Sequence, residues 1–377
     1  MQNRLLIVIY FIIVLTSNIL EAKNYLSNPE VKTFIDDLVS KDKLERYELE
    51  KLFSNVEYQQ TALSFYNKTI KPLPQKCTTK GGGDICRAEG SWNRYSFKIL
   101  KFTHVQKGKA YMRKHKKRLN SAYKKYGVPP EYITAIIGIE SFYGKNMGKY
   151  PIFDTLVTLS FEENRRDKFF KEELRAFLIM AHKEKRDPKK FKGSHAGAMG
   201  LGQFMPTNYY KVAIDFDKDG KIDLNDHDDA IGSIAKYLKE SGWKRAVEVA
   251  IPVSFLGHRY RDKKTGFRYK YSQKELKRLH PKRATRYRGP VYLIKLDRGN
   301  YDELWFGTTN FYAITRYNHS DYYAMAVHQL AQKIMGRSVS QPSNRRKNIF
   351  GDTVIEYNEL DNFLDSPMKK RKFIIDI

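Results

Sequence analysis

The chain has 377 residues, 69 Lys and Arg against 42 Asp and Glu, and a formal net charge of +27 at pH 7. That length can bury a sizeable core, in one large domain or two modest ones. The basic residues are spread along the chain with no recognisable nucleic-acid module, so nucleic acid is excluded as the expected partner; cell-wall polymers and acidic membrane surfaces, including peripheral membrane association, fit better.

Residues 1–22 come first. Arg4 precedes an apolar run, Leu5–Leu15, followed by Thr16, Ser17 and the small residue Ala22. This is the pattern of a secretory signal peptide, short for a transmembrane span, with an uncleaved N-terminal anchor as the alternative. No cysteine precedes Cys77, so a lipid-modified N-terminus is not expected, and the mature chain is expected to be exported and soluble. Residues 28–70 carry helical apolar periodicity. Cys77 and Cys86 then enclose a Gly-rich segment, CTTKGGGDIC. In an oxidising compartment they are expected to pair, closing a loop worth roughly 2.5–3 kcal/mol. A metal site there would need further ligands, which no neighbouring Cys/His cluster supplies.

Lys107–Tyr126 predicts a basic amphipathic helix. It leads into YITAIIGIESFYG, Tyr132–Gly144, in which Glu140 is the only charged residue. Pro129 and Pro130 mark the helix start, because proline's missing N–H has no partner in the first turn. Ile133, Ile136, Ile137 and Glu140 then share one stripe at i, i+3, i+4, i+7 spacing. A carboxyl group on an apolar face is desolvated and its pKa rises, as a general acid requires. The same position also suits a Glu at the stripe's edge that reaches water or pairs with a cation. Lys168–Lys183 predicts a further helix, with Phe170, Leu174, Phe177, Leu178 and Ala181 on its apolar stripe.

Gly193–Pro206, GSHAGAMGLGQFMP, holds four glycines within ten residues. It predicts an irregular turn whose backbone approaches something closely, with Ser194 and Gln203 able to face a cleft. It lacks the lysine of a phosphate loop. Asp215–Asp223, DFDKDGKID, begins like an EF-hand loop: Asp215, Asp217, Asp219 and Asp223 at alternate places, a turn at Gly220, and the carbonyl of Lys221 as a further oxygen. Asp226 stands where such loops carry a bidentate Glu, and Asp229 offers a later ligand. Four like charges so close call for a cation, so a single structural Ca2+ is expected; a solvated acidic turn is the alternative. Helices follow at Asp228–Glu240 and Tyr322–Met335. Between them, residues 246–300 alternate β-branched and aromatic runs with turns. Asn310–Tyr323 interleaves aromatics with Arg316, Asn318 and His319, suiting either a carbohydrate cleft or an ordinary half-buried core.

The expected division is therefore 1–22 as signal peptide, 23–245 as a helical N-terminal and catalytic region, 246–300 as a small β-rich insertion, 301–336 as the rest of the catalytic core, and 337–377 as a charged tail. The fold class is mainly α, with a minor β component.

Taken together, YGVPPEYITAIIGIESFYGKNMG, LVTLSFEENRRDKFF, GSHAGAMGLGQFMP, DFDKDGKIDLNDHDDAIGS and NFYAITRYNHSDYYAMAV resemble the lytic murein transglycosylase B family, in the family's order and across most of residues 28–336. The resemblance implies a lysozyme-like helical core, a periplasmic location and a peptidoglycan glycan strand as substrate. It implies Glu140 as the lone catalytic carboxyl group and no cofactor for catalysis. Arg165, Arg166, Ser194, Gln203, Tyr317, Asn318 and Tyr323 match substrate-cleft positions, with Tyr95 and Tyr237 as weaker matches. Asp215, Asp217, Asp219, Lys221 and Asp229 match the family's calcium loop, to which the alternation adds Asp223. Cell-wall synthesis proteins are possible partners, and a monomer is expected. Two rival readings stand beside this one. A hydrolytic muramidase would use Asp154, Glu162 or Asp167 as a second acid, and a wall-binding scaffold would not cut at all.

Overall fold

The computed structural model describes residues 22–67, 78–79, 84–85, 90–255, 260–299 and 301–337. The segment expected to be a signal peptide, up to residue 21, the two cysteines Cys77 and Cys86, and the tail beyond residue 337 lie outside the described residues. The helices in chain order begin with α1 (Pro29–Asp42), α2 (Arg46–Phe53), α3 (Gln60–Asn67), α4 (Ser91–Ile99) and α5 (Phe102–Lys114). Next come α6 (Lys116–Tyr126), α7 (Pro130–Ser141), α8 (Ile152–Phe161), α9 (Asp167–Lys183) and α10 (Pro206–Val212). The last three are α11 (His227–Glu240), α12 (Thr309–Tyr317) and α13 (Asp321–Ile334). The expected mainly helical class is met.

The chain divides into two compact units, one formed by residues up to Thr69 with Lys149–Gly197, the other by Ile70–Gly148 with Ala198 onward. This interleaving cuts across the linear division at residue 245, because each unit gathers segments distant in sequence.

In the first unit, Asn28 caps α1 by accepting the Glu30 N–H, with Pro29 at the first helical position. Its core is aromatic. The Phe53 ring meets Phe34, Phe153 and Phe161 edge-on, with centroids 5.4–6.3 Å apart, the arrangement that sets positive ring edges against negative faces. The apolar stripe of α9 is buried as its spacing requires and packs on α8. Asp154 is buried in α8, where Lys189 and the Glu57 N–H satisfy it at 2.6 and 2.8 Å. A buried carboxylate persists only with such partners.

The second unit surrounds α7. Tyr132–Gly138 are all buried, because α5, α6, α11 and α13 pack around them. The expected single stripe is thus replaced by burial on nearly every side, as the almost uninterrupted apolar sequence of α7 permits. The predicted 107–126 helix is broken at His115, which separates α5 from α6. A five-stranded antiparallel sheet has the order Lys270–Tyr271, Val291–Asp297, Asp302–Gly307, Ala250–Ser254, His280–Pro281. Its middle strand lies beyond residue 300, where DELWFG pairs with VYLIKLD in the register Leu293 to Phe306. Ile251, Val253, Leu293, Leu304 and Phe306 form its apolar core.

Candidate active site

Glu140 sits in the last turn of α7, the helix whose residues Tyr132–Gly138 are all buried. Two consecutive non-glycine residues in the left-handed region, Phe142 (φ 50°) and Tyr143 (φ 61°), end the helix. Such backbone costs of order 1–3 kcal/mol per residue and survives only where surrounding contacts over-determine it. Here they do. The Tyr143 ring lies against Gly138, where an added Cβ would come within 2.6 Å of it, and its hydroxyl donates to the His104 carbonyl at 2.9 Å. The buried Ser141 hydroxyl accepts from the Gly144 N–H at 3.1 Å. The helix end carrying the acid is therefore fixed by the Tyr143 side chain and by His104, whose ring Nε2 lies 3.1 Å from the Gly138 carbonyl and which the sequence did not single out.

The Glu140 side chain is partly open to solvent, yet enough protein crowds its carboxyl group for desolvation to push its pKa to about 7. Tyr323 opposes that shift by donating a hydrogen bond to Glu140 Oε1 at 2.6 Å. The Tyr323 ring stacks 7° from parallel on Tyr317, and Tyr317 in turn meets Tyr237 at 4.8 Å. Burial raises both the Tyr317 and Tyr323 hydroxyls far above the ordinary tyrosine range, so both stay protonated donors. Tyr95, on α4, is pushed up to about 12 by burial and then by the charge of Glu140. Four tyrosines expected from the resemblance thus gather around or behind the acid.

The Gly-rich segment supplies the opposite wall of this cluster. Tyr317 donates to the Gly202 carbonyl, and a Cβ on Gly202 would meet that hydroxyl at 2.8 Å. Gln203 adopts φ 50° and donates through Nε2 to the carbonyls of Gly200 (2.8 Å) and Met147 (3.1 Å). At Gly200 (φ 70°) an added Cβ would lie 2.3 Å from the Leu224 carbonyl oxygen, so only glycine fits. Phe204, not predicted, packs on both Tyr237 and Tyr317. Asn318 is exposed at the end of α12.

The acidic loop leads directly into α11. Asp215 accepts from the N–H groups of Lys218, Asp219 and Gly220, which folds the loop tightly. Asp226 caps α11 by accepting from Asp228 and Asp229, so the twelfth position is committed to the helix. Asp229 is buried and reaches back into the loop, accepting from Phe216 and Asp223. Carboxylate oxygens of Asp215, Asp217 and Asp229 lie within 4.8 Å of one another. Three hard oxygen donors converging so closely are a fitting set for Ca2+. Asp219 and Asp223 instead accept from the loop itself, through Lys221 N–H and Asn225.

In the first unit, Arg165 and Arg166 are exposed. Arg165 donates to the Tyr66 carbonyl at 3.5 Å, and the Arg166 guanidinium lies 4.2 Å over Phe169. The Ser194 hydroxyl accepts from the Ala196 N–H at 3.2 Å. His195, beside it, packs on Phe65 at 4.3 Å and on Tyr66 at 6.4 Å. Phe65 and Tyr66 therefore link the arginines to the Ser194 turn, an association with no signal in the sequence spacing. The three alternative acids are all engaged within this unit: Asp154 with Lys189, Glu162 with Lys23 and Tyr25, Asp167 with Lys171.

Residues 27–332 match the family model of the transglycosylase SLT domain. The chain is 39% identical over 313 residues to membrane-bound lytic murein transglycosylase B of Escherichia coli strain K12, covering 82% of this chain and 84% of that protein. The structure of Escherichia coli lytic transglycosylase Slt35 in complex with bulgecin A matches with a TM-score of 0.74 at 38% identity, over 85% of this chain and 97% of that one. A calcium complex of Slt35 matches equally well. Soluble lytic transglycosylase SltB1 of Pseudomonas aeruginosa matches with a TM-score of 0.72 at 34% identity, over 82% and 99% of the two chains. The fold is that of a lysozyme-like lytic transglycosylase. The chain belongs to the transglycosylase SLT-domain family, and within it to the lytic murein transglycosylase B family.

Proposed function

We propose that this enzyme, a peptidoglycan lytic transglycosylase, cleaves the β-1,4 bond between N-acetylmuramic acid and N-acetylglucosamine with Glu140 as its single acid and base. The supporting observation is the Glu140 carboxyl group, raised to about 7 by desolvation and bonded to Tyr323. At neutral pH a large fraction of such groups carries a proton. Glu140 donates it to the glycosidic oxygen as the bond breaks. The resulting carboxylate then takes the proton of the muramyl C6 hydroxyl as that oxygen closes on C1, leaving a 1,6-anhydro end. Because this nucleophile is tethered to the reacting sugar, no second carboxylate is needed to activate water. The engagement of Asp154, Glu162 and Asp167 with cations weighs against the hydrolytic alternative.

Tyr95, Tyr237, Tyr317, Asn318, Tyr323 and Gln203 are the proposed glycan-contacting groups of the second unit; Arg165, Arg166 and Ser194 are those of the first. Asp215, Asp217 and Asp229, with the Lys221 carbonyl, are the proposed ligands of a structural Ca2+, which would neutralise the loop and take no part in the chemistry. No helix among the described residues is long and apolar enough to cross a membrane; the proposed location is the periplasm, reached through residues 1–22 without lipid attachment.

The test is mass spectrometry of purified sacculi digested with the wild type and with Glu140→Gln. The wild type should release fragments with anhydro ends, and the variant should lose activity by about 10²–10⁴-fold. Equal release by both proteins refutes the single-acid mechanism, and water-added ends in place of anhydro ends refute transglycosylation.

A further inference from the structure

Beside the C-terminal end of α12 an open groove of ≈ 640 Å³ carries Phe267, Tyr292 and Tyr312 on its apolar lining. Arg268, Lys270, Arg316 and His319 supply the polar lining. Tyr292 and Tyr312 stack 5.2 Å apart and 11° from parallel, which makes a stiff aromatic surface. The Arg316 guanidinium lies 4.2 Å from the Tyr312 ring and 5.2 Å from that of Phe267. Those contacts fix the cation by its attraction to ring faces. Its Nη2 donates to Thr315, and its Nε is buried without a hydrogen-bond partner.

The charge balance points to a ligand. Among the described residues, no salt bridge pairs Arg268, Lys270 or Arg316 with a carboxylate. Asp321 is the acid that senses Arg268, but its Oδ1 already accepts from the Phe267 N–H at 2.9 Å. Three cations therefore surround an aromatic surface with little internal neutralisation, the combination that recognises a carboxylate carried on a partly apolar chain. The groove also adjoins the tyrosine cluster. The Arg316 carbonyl accepts from Tyr237, and Tyr237 packs on Tyr317, which stacks on the Tyr323 ring that bonds Glu140.

We propose that this groove is a second subsite, one that takes the carboxylate-bearing stem peptide carried on the glycan strand. The identity of the ligand rests on the glycan-cleaving function proposed above. A strand lying in the cleft would project its peptides sideways, and the groove opens one residue along the chain from Tyr317.

The test uses the full chain carrying Glu140→Gln, so that nothing turns over, titrated with free stem tetrapeptide released from peptidoglycan by an amidase. The parent should bind, and adding Arg268→Ala with Lys270→Ala should weaken Kd by roughly tenfold or more, about 1.4 kcal/mol. No binding by the parent, an unchanged Kd in the variant, or equal displacement of the peptide by the same concentration of inorganic phosphate each overturns the subsite. In parallel, the same pair of substitutions in the active enzyme should raise KM on peptide-bearing strands and leave peptide-free strands unaffected. Equal effects on both overturn it as well. An enzyme that binds the peptide but cuts neither strand refutes the proposed activity while leaving the groove standing.

Discussion

The Tyr323 hydroxyl donates to Glu140 Oε1 across 2.6 Å, a hydrogen bond that pulls down a carboxyl pKa that desolvation pushes up to about 7. A hydrogen bond to the charged form favours that form. Replacing Tyr323 by Phe should therefore raise the Glu140 pKa further. The limb of the rate profile set by Glu140 losing its proton should move to higher pH, with kcat reduced by roughly tenfold through poorer positioning. The pH dependence of kcat on sacculi measures this, and an unmoved limb would show that Tyr323 does not tune the acid.

The same shift makes Glu140 a liability for stability above neutral pH. Its folded pKa of about 7 exceeds the ordinary glutamate value of 4.5. The folded state thus holds the proton more tightly, and the resulting stabilisation is complete below about 4.5 and lost as pH rises through 7. At pH 8 the partly desolvated charge should cost up to about 3 kcal/mol. Glu140→Gln should be more resistant to urea than the wild type at pH 8 and nearly equal to it at pH 4. An identical difference at both pH values would contradict the raised pKa.

Calcium should raise the melting temperature of the wild type. At a free concentration one hundred times Kd the gain should be about 2.7 kcal/mol. Asp217→Asn is the cleanest variant, since Asp217 accepts a single backbone hydrogen bond, from Asp219, whereas Asp215 accepts three. Differential scanning calorimetry with and without calcium should show the rise in the wild type and its loss in the variant. A rise retained in the variant would remove Asp217 from the ligand set.

Gly200 and Gly242 both have positive φ, but their surroundings differ. A Cβ at Gly200 would meet the Leu224 carbonyl oxygen at 2.3 Å, while nothing lies within 4 Å of one at Gly242. Gly242→Ala should cost only the conformational strain, about 1 kcal/mol. Gly200→Ala should cost at least about 3 kcal/mol, because backbone must move as well. Chemical denaturation of the two variants compares them directly, and similar losses would show that the close approach at Gly200 is not maintained.

What could be read from the residues was what depends on near neighbours. The acid in an apolar helix is visible because the helical period places Glu140 with Ile133, Ile136 and Ile137, and the acidic loop is visible because its donors lie within one turn of chain. The partners of those groups were reachable only through family resemblance, since Tyr323 meets Glu140 across 183 residues. Other contacts had neither route. The left-handed pair Phe142–Tyr143 contains no glycine to announce it. The strand Asp302–Gly307 begins with two acids, and its apolar run Leu304–Phe306 is too short to announce a central strand before it pairs with Val291–Asp297. Phe65 and His195 meet only because their unit is assembled from two separated stretches.

The distance along the chain between Glu140 and α13 sets the order in which the enzyme can come alive. A polypeptide growing from its N-terminus presents the acid long before the tyrosine that steadies it, and the closing helix arrives only after Asp321. Until then the blade has no hilt. The helix that packs on α7 and bears Tyr323 is thus the last part of the acid's surroundings to be made.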